Sequence, residues 1–277
     1  MTEEHFNSDA VREHYDRLSV FYRALWGEHI HHGFWEDGES PARAQVKLVE
    51  RLAARAGIQR GSRVLDVGCG IGGPALWLAR NLSCFVLGLT ISPVQARMAA
   101  ERARVEGLDN LSRFEVSDAN RLQFEAESFD VVWVIECSEH LVDKARFIES
   151  CALVLKPGGV LALCAWLRAE PHARPEHARL VAEVCRGMLC PQLASMQDYT
   201  GWMSASGFTR IEAEDVTRHV EETWARCAAL ASRPEIKLPL RAADERTRSF
   251  VETFPAIRRA YAEGAMAYGM FAARKAE

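Results

Sequence analysis

Residues 64–73 read Val-Leu-Asp-Val-Gly-Cys-Gly-Ile-Gly-Gly, and Pro74 follows. A β-branched, apolar run enters a cluster of glycines and leaves it at a helix start. That is a strand, a tight turn and a helix N-terminus. Glycine takes positive φ without a Cβ clash and lets a ligand touch the backbone. The first helical turn offers unpaired N–H groups. The stretch predicts a polar, nucleotide-like ligand at the carboxyl end of a strand.

Two glycine spacings overlap here. Gly68, Gly70 and Gly73 fit the G-x-G-x-x-G of dinucleotide sites. Gly68, Gly70 and Gly72, led by Asp66, fit the D-x-G-x-G-x-G of enzymes that bind S-adenosylmethionine (SAM). The next strand, Phe85–Thr90, helps to choose. A dinucleotide site places an acid on the ribose about 20 residues beyond the glycines. From Leu82 to Ala100 there is no carboxylate, and Thr90 stands at that place. A nicotinamide-dependent oxidoreductase, the reading from another class, loses its ribose ligand. A hydroxyl and an amide, Thr90 and Gln95, can serve the ribose of SAM.

Outward from this motif, strands and helices alternate. Strands are expected near Arg63–Val67, Phe85–Thr90, Ser112–Val116, Phe129–Ile135 and Val160–Trp166, with Lys156–Gly159 as the turn into the fifth. Helices are expected near Pro74–Asn81, Pro93–Gly107 and Asp143–Leu155. Such alternation builds a parallel sheet covered on both faces. Ser40-Pro41 reads as an N-cap with proline at N1, and Gly57 closes that helix. Beyond Trp166, Phe208–Thr217 reads as a sixth strand and Ala265–Ala273 as a seventh. Ala178–Leu189, Ser195–Ser206, Glu222–Ala231 and Ala242–Phe254 read as helices. The expected domain is therefore an α/β, Rossmann-like seven-stranded sheet with a cofactor-binding core at 58–166. Segments 1–45 and 218–263 are expected to form a helical lid over the substrate site.

The bulk composition agrees with a globular chain of 277 residues, 48% hydrophobic and 26% charged. The net charge of −4 lacks the basic stripe of a nucleic-acid binder. No run is long and apolar enough for a membrane helix, although an apolar lid can take membrane-derived substrates. Met1–Phe6 lacks the basic start and apolar stretch of a signal peptide, and the eight cysteines form no C-x-x-C pair. A cytoplasmic location with reduced thiols is expected.

Asp66 can counter a cationic ligand or bond to the turn itself. Ser92-Pro-Val-Gln95 is also a capping box, which offers Gln95 a purely structural role. Asp118, in Ser-Asp-Ala-Asn120, suits an adenine amino group, with the Ala119 N–H to a ring nitrogen; a turn aspartate is the alternative. After the fourth strand, Glu136-Cys-Ser-Glu-His140 places two acids and an imidazole at a strand's carboxyl end. Glu136 is expected to face the cofactor, and Glu139 with His140 to be the acid/base pair. The aromatic-rich start offers Tyr15, Tyr22, Trp26, Phe34 and Trp35 to close over a sulfonium, whose positive charge is attracted to ring faces; Tyr22 is assigned to the cofactor. His29, His31 and His32 suggest a metal site, but a further ligand and defined geometry would be needed; no metal is expected.

These residues resemble those of class I SAM-dependent methyltransferases over most of the chain. The nearest branch is the γ-tocopherol C-methyltransferase-like group, related to sterol, ubiquinone and sugar methyltransferases. The resemblance rests on Trp26–Trp35, Asp66–Gly73, Gly88–Gln95 and Glu136–His140, with weaker support from Leu155–Gly159 and Ala194–Tyr199. It implies SAM as cofactor, lined by Asp66, Gly68, Gly70, Thr90, Gln95, Asp118, Ala119 and Glu136. Sugar O-methyltransferase relatives carry His-His where this chain has Glu139-His140, and an aspartate after strand five where it has Ala165-Trp166. Tocopherol-like enzymes have Glu-His and Thr-Trp there. The expected reaction is methyl transfer to a small, largely apolar molecule, first a phenolic ring carbon of tocopherol or quinol type. O- or N-methylation of a natural product is the alternative.

Overall fold

The computed structural model describes residues 8–170, 174–235 and 245–277. Seven strands form one sheet: β1 (Arg63–Val67), β2 (Phe85–Thr90), β3 (Ser112–Val116), β4 (Phe129–Ile135), β5 (Leu155–Arg168), β6 (Phe208–Asp215) and β7 (Met266–Lys275), in the order β3-β2-β1-β4-β5-β7-β6. The first five pair in parallel, and β7 runs antiparallel to both β5 and β6. This is the mixed sheet of the class I methyltransferase fold. The first four strands have the bounds their patterns predict.

Alternation along the strands sends one residue to each face. Val64, Val131 and Ala162 join the core that includes Leu48 and Leu52 of α2 (Pro41–Ala56) and Leu78 of α3 (Gly73–Leu82). Leu65, Val132 and Leu161 join Phe147 and Ile148 of α5 (Lys144–Val154) and Tyr199 and Met203 of α7 (Met196–Ala205). Burial on both faces explains why β1 and β4 read as largely apolar runs.

The expected turn at Lys156–Gly159 is instead a bulge within β5. Phe129 pairs with Leu155 but Val131 pairs with Val160, so the glycine pair absorbs the extra residues. Gly158 takes φ 72°, which a side chain would resist. The helix read over Ala242–Phe254 begins outside the described residues. From Glu245 it is two helices, α10 (Glu245–Glu252) and α11 (Phe254–Ala262), because Pro255 fits only the first turn of a helix.

Four helices lie toward the carboxyl ends of the strands. In α1 (Ser8–Trp26), Val11, His14, Leu18, Ser19 and Tyr22 form a buried stripe. Rings from α1, α9 (Glu222–Ala231), α10 and α11 pack edge to face, with Tyr22–Phe250 centroids 5.2 Å apart and Trp26–Phe254 centroids 5.9 Å apart. Among the described residues, no helix is long and apolar enough to cross a membrane.

Candidate active site

The glycine turn after β1 is held by Leu89, whose carbonyl accepts from the N–H groups of Gly68 and Cys69 at 2.9 and 2.8 Å. The glycines have different reasons to lack a side chain. A Cβ on Gly68 would stand 2.4 Å from Cys137 Cβ, and one on Gly73 would stand 2.4 Å from the Glu28 carbonyl. Gly70, at φ 54°, meets nothing within 4 Å. It opens onto a cleft of about 730 Å³, open solvent included, that Thr90, Gln95, Asp118, Ala119 and Glu136 also line.

Asp66, which the sequence assigns to the cofactor, lies behind this turn and outside the lining of the cleft, 2% exposed, with Oδ2 unpartnered among the described residues. Burial pushes its carboxyl up to about 8. Thr90 donates to Gln95 Oε1 at 2.7 Å and accepts from the Ser92 N–H. Ser92 caps α4 (Pro93–Val105) by accepting from the Gln95 N–H at 3.1 Å. Half of the expected capping box forms; the Gln95 side chain turns to Thr90 instead of returning to its own helix start. Asp118 accepts from Ser8 Oγ at 2.6 Å and from both the backbone and side chain of Asn120. Burial would raise its carboxyl, but the Ser8 and Asn120 hydrogen bonds outweigh it and the pKa falls.

A second cavity, about 580 Å³ on the same measure, lies under the aromatic helices. Tyr22, Trp26, Trp166, Trp224 and Phe250 contribute to its walls. Tyr22 belongs here, with His14 Nε2 3.0 Å from its hydroxyl, and not to the lining of the glycine cleft where the sequence assigns it. The two cavities share Tyr15, Ile30, Glu136 and His140.

Glu136 ends β4 in the left-handed region at φ 52°, a strained conformation that turns its carboxylate inward. Oε1 accepts from the His32 N–H at 2.8 Å, His32 Nδ1 at 3.0 Å and the Tyr268 hydroxyl at 2.8 Å; Oε2 accepts from the Trp166 indole at 3.0 Å. Burial pushes this carboxyl up, but the His32 ring and its hydrogen bonds outweigh it and hold the carboxyl below the usual carboxylate range. The Trp224 indole N–H donates to His32 Nε2 at 2.7 Å, which puts the His32 proton on Nδ1, facing Glu136.

The other imidazoles of this loop are also engaged. His31 Nδ1 donates to the His32 carbonyl at 2.7 Å, leaving Nε2 to accept from His29 Nδ1 at 3.2 Å. Burial lowers the pKa of both, His29 to about 2.

Glu139 and His140, neighbours in sequence, have different partners. Glu139 Oε1 accepts from the Trp166 backbone N–H at 2.6 Å, and Oε2 has no partner. Burial and the neighbouring Glu136 carboxylate push Glu139 up to about 8. His140 Nδ1 donates to the Leu189 carbonyl at 3.0 Å, so Nε2 accepts from the Tyr15 hydroxyl at 2.9 Å. Burial lowers the His140 pKa, keeping the ring neutral. Sequence reasoning offered Tyr15 only as an aromatic wall and did not foresee the roles of His14, His32 or Tyr268.

A seven-stranded mixed sheet with a glycine turn at the end of β1 and two joined cavities over the strand ends defines a class I SAM-dependent methyltransferase. The chain belongs to that family, and SAM is its cofactor. The family model described as "Methyltransferase domain" matches residues 65–163. The 27-O-demethylrifamycin SV methyltransferase of Amycolatopsis mediterranei (strain S699) is 35% identical over 77% of this chain and 79% of its own. The chloroplastic tocopherol O-methyltransferase of Arabidopsis thaliana is 28% identical over 96% of this chain and 81% of its own. Among solved structures, the [4+2]-cyclase SpnF superposes with a TM-score of 0.81 at 27% identity, covering 98% of this chain and 96% of that one. The enzyme methylates small molecules; the oxidoreductase reading is not favoured.

Proposed function

We propose that the methyl acceptor is a largely apolar phenol of chromanol or quinol type, bound in the aromatic cavity and methylated on the ring carbon beside its hydroxyl. The observation that carries this reading is the Tyr15–His140 pair at the junction of the two cavities. A neutral imidazole, oriented by Leu189 and bonded to a phenol-like hydroxyl, suits withdrawal of a proton from an acceptor hydroxyl. His140 Nε2 would take the Tyr15 proton as Tyr15 takes that of the acceptor hydroxyl, which raises electron density on the ortho carbon. The ring carbon would then bond to the methyl group as the methyl–sulfur bond breaks, leaving S-adenosylhomocysteine; the ring C–H proton passes to solvent, and the relay returns its proton to the oxygen. The name of the A. mediterranei relative supports O-methylation as the alternative, in which the same deprotonated oxygen is the nucleophile.

The cleft fits SAM on its own features. Gly70 is open to it, and Asp66 keeps an orphaned carboxylate oxygen. In this reading Asp66 counters the amino group, Thr90 and Gln95 hold the ribose, and Asp118 with the Ala119 N–H holds the adenine. Gly68 shapes the turn, and Glu136, fixed by four donors, presents negative charge near the sulfonium. When bound, the cofactor supplies an electrophilic methyl group on sulfur. Residues 58–166 act as the cofactor core, and the described parts of 1–45 and 218–263 as a lid that excludes water and orients the reactants. A cytoplasmic location agrees with eight free cysteines, six of them buried.

The test is product detection by mass spectrometry after incubation with SAM and a panel of chromanols, hydroquinones, sterols and amines. A chromanol or hydroquinone heavier by one methylene, with equimolar S-adenosylhomocysteine, supports the reading. Turnover confined to amines would overturn it.

A further inference from the structure

Trp166 holds two carboxyl groups at once: its indole N–H donates to Glu136 Oε2 and its backbone N–H to Glu139 Oε1. The two acids are treated differently. Glu136 accepts four hydrogen bonds, whereas Glu139 accepts one, is 2% exposed, and lines the acceptor cavity with an unpartnered Oε2. The nearest cation does not compensate. Lys144 Nζ of α5 is spent on the Leu141 carbonyl at 2.6 Å and reaches Glu139 only at its backbone carbonyl, 3.5 Å away. Tyr15 of α1, Cys137 after β4, Tyr199 of α7 and Cys190 before α7 surround Glu139, and burial holds each in its neutral form.

A buried carboxylate with one donor, an ionised neighbour and, among the described residues, no cation bonded to its side chain is unfavourable; adding a proton removes the unfavourable charge. Oε1 is occupied as an acceptor, so the proton belongs on Oε2, and Glu139 is part of the wall of the acceptor cavity. We propose that Glu139 works as a carboxylic acid that donates a hydrogen bond from Oε2 to a second oxygen of the acceptor. Glu139 is thus a specificity-determining donor, and the proton acceptor is His140. The substrate class narrows to molecules with a reacting hydroxyl and a separate ether, carbonyl or alkoxy oxygen. This narrowing rests on the phenol reading above; the protonation of Glu139 does not. The direction of its pKa shift, up to about 8, agrees.

Two measurements test the inference on the full-length protein with S-adenosylhomocysteine bound. Infrared difference spectra, stepped from about pH 6 to about pH 10, should lose one protonated-carboxyl band that Glu139→Gln lacks. If wild type and Glu139→Gln give identical spectra, the inference is overturned whatever the acceptor is. The second measurement compares kcat/KM for a hydroxychroman and for the hydroxytetralin in which a methylene replaces the ring oxygen. Wild type should prefer the hydroxychroman by roughly 10- to 100-fold, the range of one buried hydrogen bond. Glu139→Gln keeps a donor and should keep that preference, whereas Glu139→Leu should lose it. Equal loss of turnover in both variants would identify a carboxylate base and overturn the proposal. Methylation of neither probe overturns the phenol reading, and the infrared band then decides the protonation of Glu139 alone.

Discussion

The Tyr15 hydroxyl lies 2.9 Å from His140 Nε2, joining helix α1 to the loop after β4 across 125 positions of sequence. Tyr15→Phe should therefore lower kcat by tenfold or more while SAM affinity changes little. His140→Ala should cost roughly 10²–10⁴-fold, the usual range for a proton-transfer group. Because burial lowers the His140 pKa, its basic form survives below the ordinary imidazole range. The acid limb of the kcat profile should fall below pH 6.5, the ordinary value. Steady-state assays of S-adenosylhomocysteine release check all three, and a limb at or above that value would contradict the assignment.

Gly68 and Gly70 should separate stability from binding. Gly68→Ala drives a methyl group into Cys137 at positive φ and should cost about 2–4 kcal/mol. Gly70→Ala meets open space, so it should cost only about 1–2 kcal/mol of backbone strain. Its methyl group projects into the cleft, and S-adenosylhomocysteine should bind at least tenfold more weakly. Thermal melts and titration calorimetry distinguish the pair; equal effects on both quantities would count against the assignment of the cleft.

Asp66 predicts a proton signature of cofactor binding. Its carboxyl, held up at about 8 by burial, is protonated at neutral pH in the free protein. An ammonium group beside it lowers that pKa, so binding releases a proton and strengthens as pH rises toward 8. Calorimetry in two buffers of different ionisation enthalpy measures the release. Asp66→Asn should abolish it; an unchanged release would place the proton elsewhere.

Glu136 carries the opposite sign. Its pKa is depressed from 4.5 to about 2, so its contribution to stability is complete above the unfolded value and is lost as pH falls toward 2. Glu136→Gln should cost about 1–3 kcal/mol at neutral pH, the range for a buried donor left unsatisfied, because an amide N–H₂ would face a donor at either oxygen position. Its stability should also vary less between pH 4.5 and 2 than that of wild type. Urea melts across that range are the check.

The middle of the sheet was legible because its strands are buried on both faces and end at glycine or a polar cluster, whereas β3 and β6 are largely exposed. Arg63–Val67 and Phe85–Thr90 show this directly. At Leu155–Gly159 local chemistry misled: Pro-Gly-Gly spells a turn, but β4 pairs with Leu155 before it and Val160 after it, so the strand runs through as a bulge. The glycine cleft was readable because its lining follows the ends of consecutive strands. The Glu136 network was not, since His32 and Tyr268 stand 104 and 132 positions away. The three neighbouring histidines, for which no metal was expected, bond to one another, the backbone, Glu136 and Trp224. Glu139 and His140 looked like a pair because they are adjacent, but the single 3₁₀ turn Ser138–His140 sends them to different neighbours.

Helix α1 does more than cover the strand ends. Ser8 is bonded to Asp118 in the glycine cleft, Asp16 accepts from Ser92 Oγ at 2.5 Å at the start of α4, and Tyr15 between them is bonded to His140. The glycine cleft and the Tyr15–His140 bond therefore share one support, and any displacement of this helix would break the three contacts together.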